Sequence, residues 1–107
     1  MAPGKFPVSL DVEGQKAELT VNVKHLETRD AEKFEAACGK LLDTGQPELA
    51  VDVRAVDTIQ SILIGEVAKT KVIAGEAGRK FRLVANKKIA DIFRMILANL
   101  VEIDIRD

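Results

Sequence analysis

Apolar and polar positions change period several times along the chain, and each change marks an element. Phe6, Val8 and Leu10 alternate with polar or small neighbours, and Ala17, Leu19, Val21 and Val23 do so again after Glu13-Gly14-Gln15. Alternation at period two around a Gly-bearing turn predicts a hairpin, each strand turning one face to a core and the other to water. From Ala31 the spacing becomes three and four, through Phe34, Ala37 or Cys38, Leu41 and Leu42. That stripe predicts a helix capped by Thr28 or Asp30 and ending near Thr44, ahead of Gly45 and Pro47. Gly39 inside it weakens the helix by roughly 1 kcal/mol relative to Ala. Close passage of another element is the expected reason for that glycine.

Leu49, Val51 and Val53 return to period two, and helical spacing resumes at Ser61. A strand therefore runs into a helix from about Ser61 to about Gly75. Steps of ~100° place Leu63, Ile64, Val67, Ala68, Ala74 and Gly75 on the side facing the sheet, with Lys71 laying its stem along the core edge. Ile62 and Ile73 project the other way, beside Glu66 and Lys69. Three successive apolar residues, Ile62, Leu63 and Ile64, exceed what one amphipathic face can bury, so Ile62 is expected to be exposed or to meet a partner. Lys80 to Ala85 reads as a strand, and Asn86 as the cap of a third helix over Lys87 to Ala98. That helix carries the stripe Ile89, Ile92, Phe93, Ile96, Leu97 and Leu100, and Val101, Ile103 and Ile105 suggest a closing strand. The order strand, strand, helix, strand, helix, strand, helix, strand predicts an α/β fold: a single domain over residues 1–107, with 1–5 a loose end. Its mixed central sheet should have about five strands, with helices mainly on one face.

Charge narrows the possible partners. Sixteen Lys and Arg against seventeen Asp and Glu leave a formal charge of −1, too weak a field to draw in nucleic acid or an anionic membrane. The apolar runs are only a few residues long, against the roughly 20 of a membrane span, and no apolar signal core is visible near the start. With Cys38 alone, no internal disulfide can form. The expectation is a cytoplasmic protein without direct membrane binding. His25, the sole histidine, is expected at the surface after the second strand, and no nucleophile-base pair or metal-ligand grouping assembles around it. Gly75-Glu-Ala-Gly78 lacks the Lys and Ser/Thr of a nucleotide loop. Cys38 reads as a small core residue, and Lys87-Lys88 as a solvated helix end. No enzyme activity, cofactor or metal is expected.

Several stretches resemble a STAS domain, the family of bacterial anti-sigma factor antagonists and of the cytoplasmic tails of sulfate transporters. The resemblance covers nearly the whole chain. It is carried by Leu26-Glu27, the strand Leu49-Ala-Val-Asp-Val, the junction Val56-Asp-Thr-Ile-Gln-Ser61, the Gly-containing second helix, Phe81-Arg-Leu-Val-Ala, and Asn99-Leu100. In that family the junction usually reads apolar, Asp, Ser, Ser, Gly, Leu, and a partner kinase that is also the anti-sigma factor phosphorylates the first Ser. Ser61 matches that serine and Ile64 the Leu, whereas Gln60, Ile62 and Leu63 replace the Asp, second Ser and Gly. Losing the carboxylate removes a group that could orient the serine hydroxyl, and losing the Gly removes a point of close backbone approach.

The resemblance thus implies a regulatory protein-binding domain. Ser61, expected to cap the second helix, is the phosphoacceptor candidate, and Thr58 the lesser one. Thr58, Ile59, Gln60, Ser61, Ile62, Glu66 and Lys69 would form the partner surface. The implied partner is an anti-sigma factor or a serine kinase of the regulatory type. The departures from the motif point to two other roles. One is a non-phosphorylated scaffold subunit, stressosome-like, forming homo- or hetero-oligomers with other STAS proteins; the other is an accessory subunit of a membrane transport complex.

Overall fold

The computed structural model describes residues 6–106; the loose end expected at 1–5 lies outside them. Strands β1 (Val8–Glu13) and β2 (Lys16–Val21) form the expected hairpin, closed through Gly14 at φ +61°, a left-handed conformation that glycine adopts without strain. After β3 (His25–Leu26) and a 3-10 turn over Thr28–Asp30 comes helix α1 (Ala31–Asp43). Strands β4 (Glu48–Asp52) and β5 (Thr58–Ile59) lead into α2 (Ser61–Glu76), and β6 (Lys80–Ala85), α3 (Lys87–Leu97) and β7 (Glu102–Ile105) complete the chain. The main sheet has the order β1-β2-β4-β6-β7, with β1 antiparallel to β2 and every other neighbour parallel. Each parallel step is bridged by one helix. The helices therefore all begin at the C-terminal ends of the parallel strands, the end where open α/β sheets place their sites.

One face of the sheet carries Ala17, Leu19, Val21, Leu49, Val51, Phe81, Leu83 and Ala85, which meet Phe34, Leu41, Leu63, Val67, Ile89 and Phe93 from all three helices in one core. The helices thus lie on one face, as expected. The other face has no helical cover, yet Ala50, Asp52 and Val84 are buried there. The Asp52 carboxylate, nearly sealed, accepts from the Arg54 backbone N–H at 3.0 Å and from its guanidinium at 2.8 Å. That hydrogen bond and the charge behind it, with Glu18 and Asp104 adding, hold the Arg54 proton more tightly than usual.

Several local expectations are corrected. Gly39 has nothing within 4 Å of where a Cβ would stand, so no element passes it; Gly39→Ala should stabilise the fold by roughly 0.5–1 kcal/mol through helix propensity. The hairpin does not bury its apolar set evenly. Leu19 and Val21 are sealed, but Leu10 and Val12 on the outer strand are 38% and 52% exposed. Gly75, assigned to the sheet side of α2, is exposed, and Thr70 is buried there instead, its hydroxyl returned to the Glu66 carbonyl at 2.8 Å. Ile96 and Leu100 of the third stripe are exposed; α3 ends at Leu97, and Ala98 turns the chain at φ +53°. Asn86 does cap α3, accepting from the Ile89 N–H at 2.9 Å.

Cys38 is a core residue, and burial pushes its thiol from an ordinary 9.0 up to about 11. The folded thiol holds its proton more tightly than the unfolded one. This contribution to stability is therefore complete below pH 9 and is lost as pH rises through about 11. At about 1.4 kcal/mol per pH unit over that window, Cys38→Ala should flatten the alkaline limb of a urea-denaturation series by roughly 2–3 kcal/mol relative to wild type.

Candidate functional site

The junction between β4 and α2 is built by three sets of hydrogen bonds. The turn after β4 closes with Val56 N–H on the Val53 carbonyl at 3.0 Å, and Asn86 at the start of α3 donates its side-chain amide to the carbonyls of Arg54 and Val56, both at 3.0 Å. The chain then pairs β5 with β3 as a two-stranded parallel sheet, which the sequence reading missed. Asp57 and Thr58 N–H groups reach the Lys24 carbonyl, and Gln60 N–H reaches that of Leu26 at 2.9 Å. Two residues per strand are too few to show a period, so only the non-local pairing could reveal this sheet.

The structure moves the cap by one residue. Gln60, with extended backbone, is the N-cap of α2, and Ser61 is its first helical residue. The Gln60 carbonyl accepts from Leu63 N–H at 2.9 Å. Its side chain does not return to the helix; Oε1 accepts from the Thr28 backbone N–H and from the Thr28 hydroxyl at 2.6 Å. The Gln60 amide thus ties α2 to the segment leading into α1. Relieved of capping, the Ser61 hydroxyl sits exposed beside the opening N–H groups of α2, which lack intrahelical acceptors and favour an anion.

The other candidate residues divide between two places. Thr58 is exposed with its hydroxyl 2.8 Å from His25 Nδ1, so the sole histidine lies at the surface as expected but belongs to the junction. Ile59 is half-buried against the core and Ile62 is 50% exposed. Glu66 and Lys69 stand farther along α2 and face α1. Lys69 Nζ is 2.6 Å from Glu35 and 3.5 Å from Glu66. The hydrogen bond and charge of Lys69 draw the Glu35 carboxyl below its usual range, and Glu35 raises Lys69 in turn. These two residues therefore link the helices, while Thr58 to Ile62 cluster at the junction.

Sequence reasoning also overlooked Gly65. Leu63 is sealed in the core, whereas Gly65 lies on the outer face of α2 with nothing within 4 Å of a Cβ position. Around it run Ile62, Val72 and Ile73, 50%, 45% and 41% exposed. α2 leaves this strip bare of any covering element, interleaved with the charged Lys69 and Glu76 and with an uncovered stretch of backbone at Gly65. Gly65→Ala should raise stability by roughly 0.5–1 kcal/mol, because helix propensity improves and no clash opposes it. A thermal melt measures that gain directly.

Among the described residues no three His, Cys, Asp or Glu side chains come together to hold a metal ion, and no helix is long and apolar enough to cross a membrane. No protein-family model matches the chain, and no curated protein matches it in sequence. Solved structures do match. An anti-sigma factor antagonist from Mycobacterium paratuberculosis superposes with a TM-score of 0.80 at 20% identity, over 95% of this chain and 87% of its own. The protein TM1081 of Thermotoga maritima gives 0.78 at 21% identity, over 90% and 84%. The anti-sigma factor antagonist SpoIIAA in its unphosphorylated form gives 0.66 at 10% identity, over 94% and 89%.

The chain therefore has the mixed α/β fold of the STAS-type anti-sigma factor antagonists. Within it, Gln60 is held by Thr28 and Leu63 is sealed in the core, whereas Ile62 stays half exposed.

Proposed function

We propose that this protein is a regulatory binding domain acting as an anti-sigma factor antagonist does. Residues Thr58 to Ile62 and the bare strip of α2 dock on an anti-sigma factor or a serine kinase of the regulatory type. Transfer of the γ-phosphoryl group of a nucleoside triphosphate to Ser61 Oγ then ends the association. The observation that supports this reading best is the exposed Ser61 at the start of a helix whose outer face leaves three large apolar residues, Ile62, Val72 and Ile73, open to a partner. Phosphate there would add about −1.5 to −2 charges where the helix N-terminus tolerates them. Its hydration shell would sit beside Ile62, within the contact a partner needs. Leu63 and Ile64 on the opposite side of the helix are sealed in the core and would keep their packing. Intact-mass spectrometry of the protein isolated from its native cells tests the modification: one added phosphate, absent from Ser61→Ala, is expected. Phosphate retained by that variant would move the acceptor elsewhere, Thr58 being next in line.

The same strip favours a second reading, a scaffold subunit that is never phosphorylated, because Ile62 stands where the family's second serine would be. Under it, Ile62→Glu dissociates an assembly with other STAS chains, and native-cell protein carries no phosphate.

A further inference from the structure

Among the described residues no strand pairs with the outer edge of β1, and the hydrogen-bonding phase of that edge follows from its partner on the other side. Asn22 N–H bonds the Pro7 carbonyl at 2.8 Å, one position before the Val8↔Val21 pair. Because bonded and non-bonded pairs alternate in an antiparallel ladder, Ser9, Asp11 and Glu13 spend their backbone groups on β2. The amide and carbonyl groups of Leu10 and Val12 point the other way, to the free edge, as does the Val8 carbonyl; Val8 N–H is held by Phe6 at 2.8 Å. Pro7 faces β2 and so does not block that edge. Val8–Glu13 holds no lysine or proline; its charged residues are Asp11 and Glu13, which leave the edge open to a strand that sets no acid against them. On the helix side of the sheet, Leu10 and Val12 are 38% and 52% exposed, so no helix overhangs the strand.

We propose that a second copy of this chain adds at this edge, β1 against β1, antiparallel about a two-fold axis at Leu10. Charge and bond count together choose the register: a two-fold at Ser9 also keeps the acids apart, but it leaves only the Leu10 N–H groups bonding Val8 carbonyls, because Val8 N–H is held by Phe6. Centring on Leu10 sets Leu10 against itself, Val8 against Val12 and Ser9 against Asp11, so no acid opposes an acid. Centring on Asp11 sets two aspartates face to face, and centring on Val12 sets Asp11 against Glu13; like charges directly opposite are destabilising. The sheet's other edge is a poorer occupant. Glu102 and Asp104 of β7 lie on the same face as Asp11 and Glu13, so every register that keeps like faces together and overlaps the two strands fully sets an acid against an acid. In the Leu10 register the two Leu10 residues exchange two backbone bonds and each Val12 N–H reaches a Val8 carbonyl. The exposed leucines and valines of both copies then close into one apolar strip between the two helical layers.

Sedimentation velocity from low micromolar to near-millimolar concentration tests this with the full chain. A reversible dimer is expected, weakened at least about tenfold by Leu10→Lys and unaffected by Ile62→Glu; circular dichroism should show both variants folded, since both side chains are at the surface. Register has its own readout. Under a mild thiol oxidant, Leu10→Cys should cross-link to its own copy, because bonded pairs stand about 5.5 Å apart at Cα, within disulfide reach, while Val12→Cys should not. Cys38, buried, does not compete. A wild type that stays monomeric throughout, or a dimer indifferent to Leu10→Lys, overturns the proposal. Dissociation by Ile62→Glu alone would assign the contact to α2 instead, and equal cross-linking of both cysteine variants would overturn the register.

Discussion

Ser61→Asp is expected to weaken binding to an anti-sigma factor or regulatory serine kinase by roughly 10–100-fold, about 1.4–2.8 kcal/mol, while Ser61→Ala binds as wild type. The asymmetry follows from position. Ser61 is the first residue of α2 and Gln60 is the cap, so removing the hydroxyl leaves the helix start intact. Adding a carboxylate at the first turn is mildly favourable to the helix itself, by some tenths of a kcal/mol. The loss therefore falls on the docked partner, which must bury a charge beside Ile62. Stability should not fall, and that separates the effect from misfolding. Titration calorimetry with the purified partner, alongside a thermal melt, reads both quantities. Equal affinity for both variants and wild type would remove Ser61 from the switch.

Phe34→Ala should cost about 3–5 kcal/mol, near the upper end for a core truncation and a large part of the roughly 5–15 kcal/mol that holds a typical domain. Phe34 is fully sealed on α1, meets the sheet and α2 in the common core, and takes the Phe6 ring edge-on at 6.5 Å between centroids. Its removal opens a cavity where three elements meet and also strips Phe6 of its partner. Phe34→Leu restores most of the volume and should lose far less, under about 1.5 kcal/mol. Urea denaturation followed by far-UV circular dichroism gives the comparison. Ile62→Ala, exposed, should stay within about 0.5 kcal/mol of wild type, so a loss of binding in that variant would belong to the surface.

The sequence by itself determined which residues build the long elements. Period two and period 3.6 are local properties, and wherever one face of an element meets the core the pattern is written into successive residues. Lys80–Ala85, the Asn86 cap and the run of α2 from Ser61 were all legible for that reason. So were the mixed sheet and its one-sided helices, since β-α-β spacing leaves few arrangements. The exposed setting of Ile62 also followed, from three apolar residues in a row on a helix with one buried side.

What only the tertiary structure decided depends on partners distant in the chain. The β3–β5 pair, the Gln60 link to Thr28 and the Asn86 clamp on the turn after β4 join residues about thirty positions apart, and no local period encodes them. They move the cap from Ser61 to Gln60 and thereby leave the serine hydroxyl uncommitted. The exposed Leu10 and Val12 arise the same way: their alternation matches that of Leu19 and Val21, but at the rim of a sheet the helical layer ends before it reaches them. Burial is a property of what lies across from a residue, and a sequence states only what lies next to it.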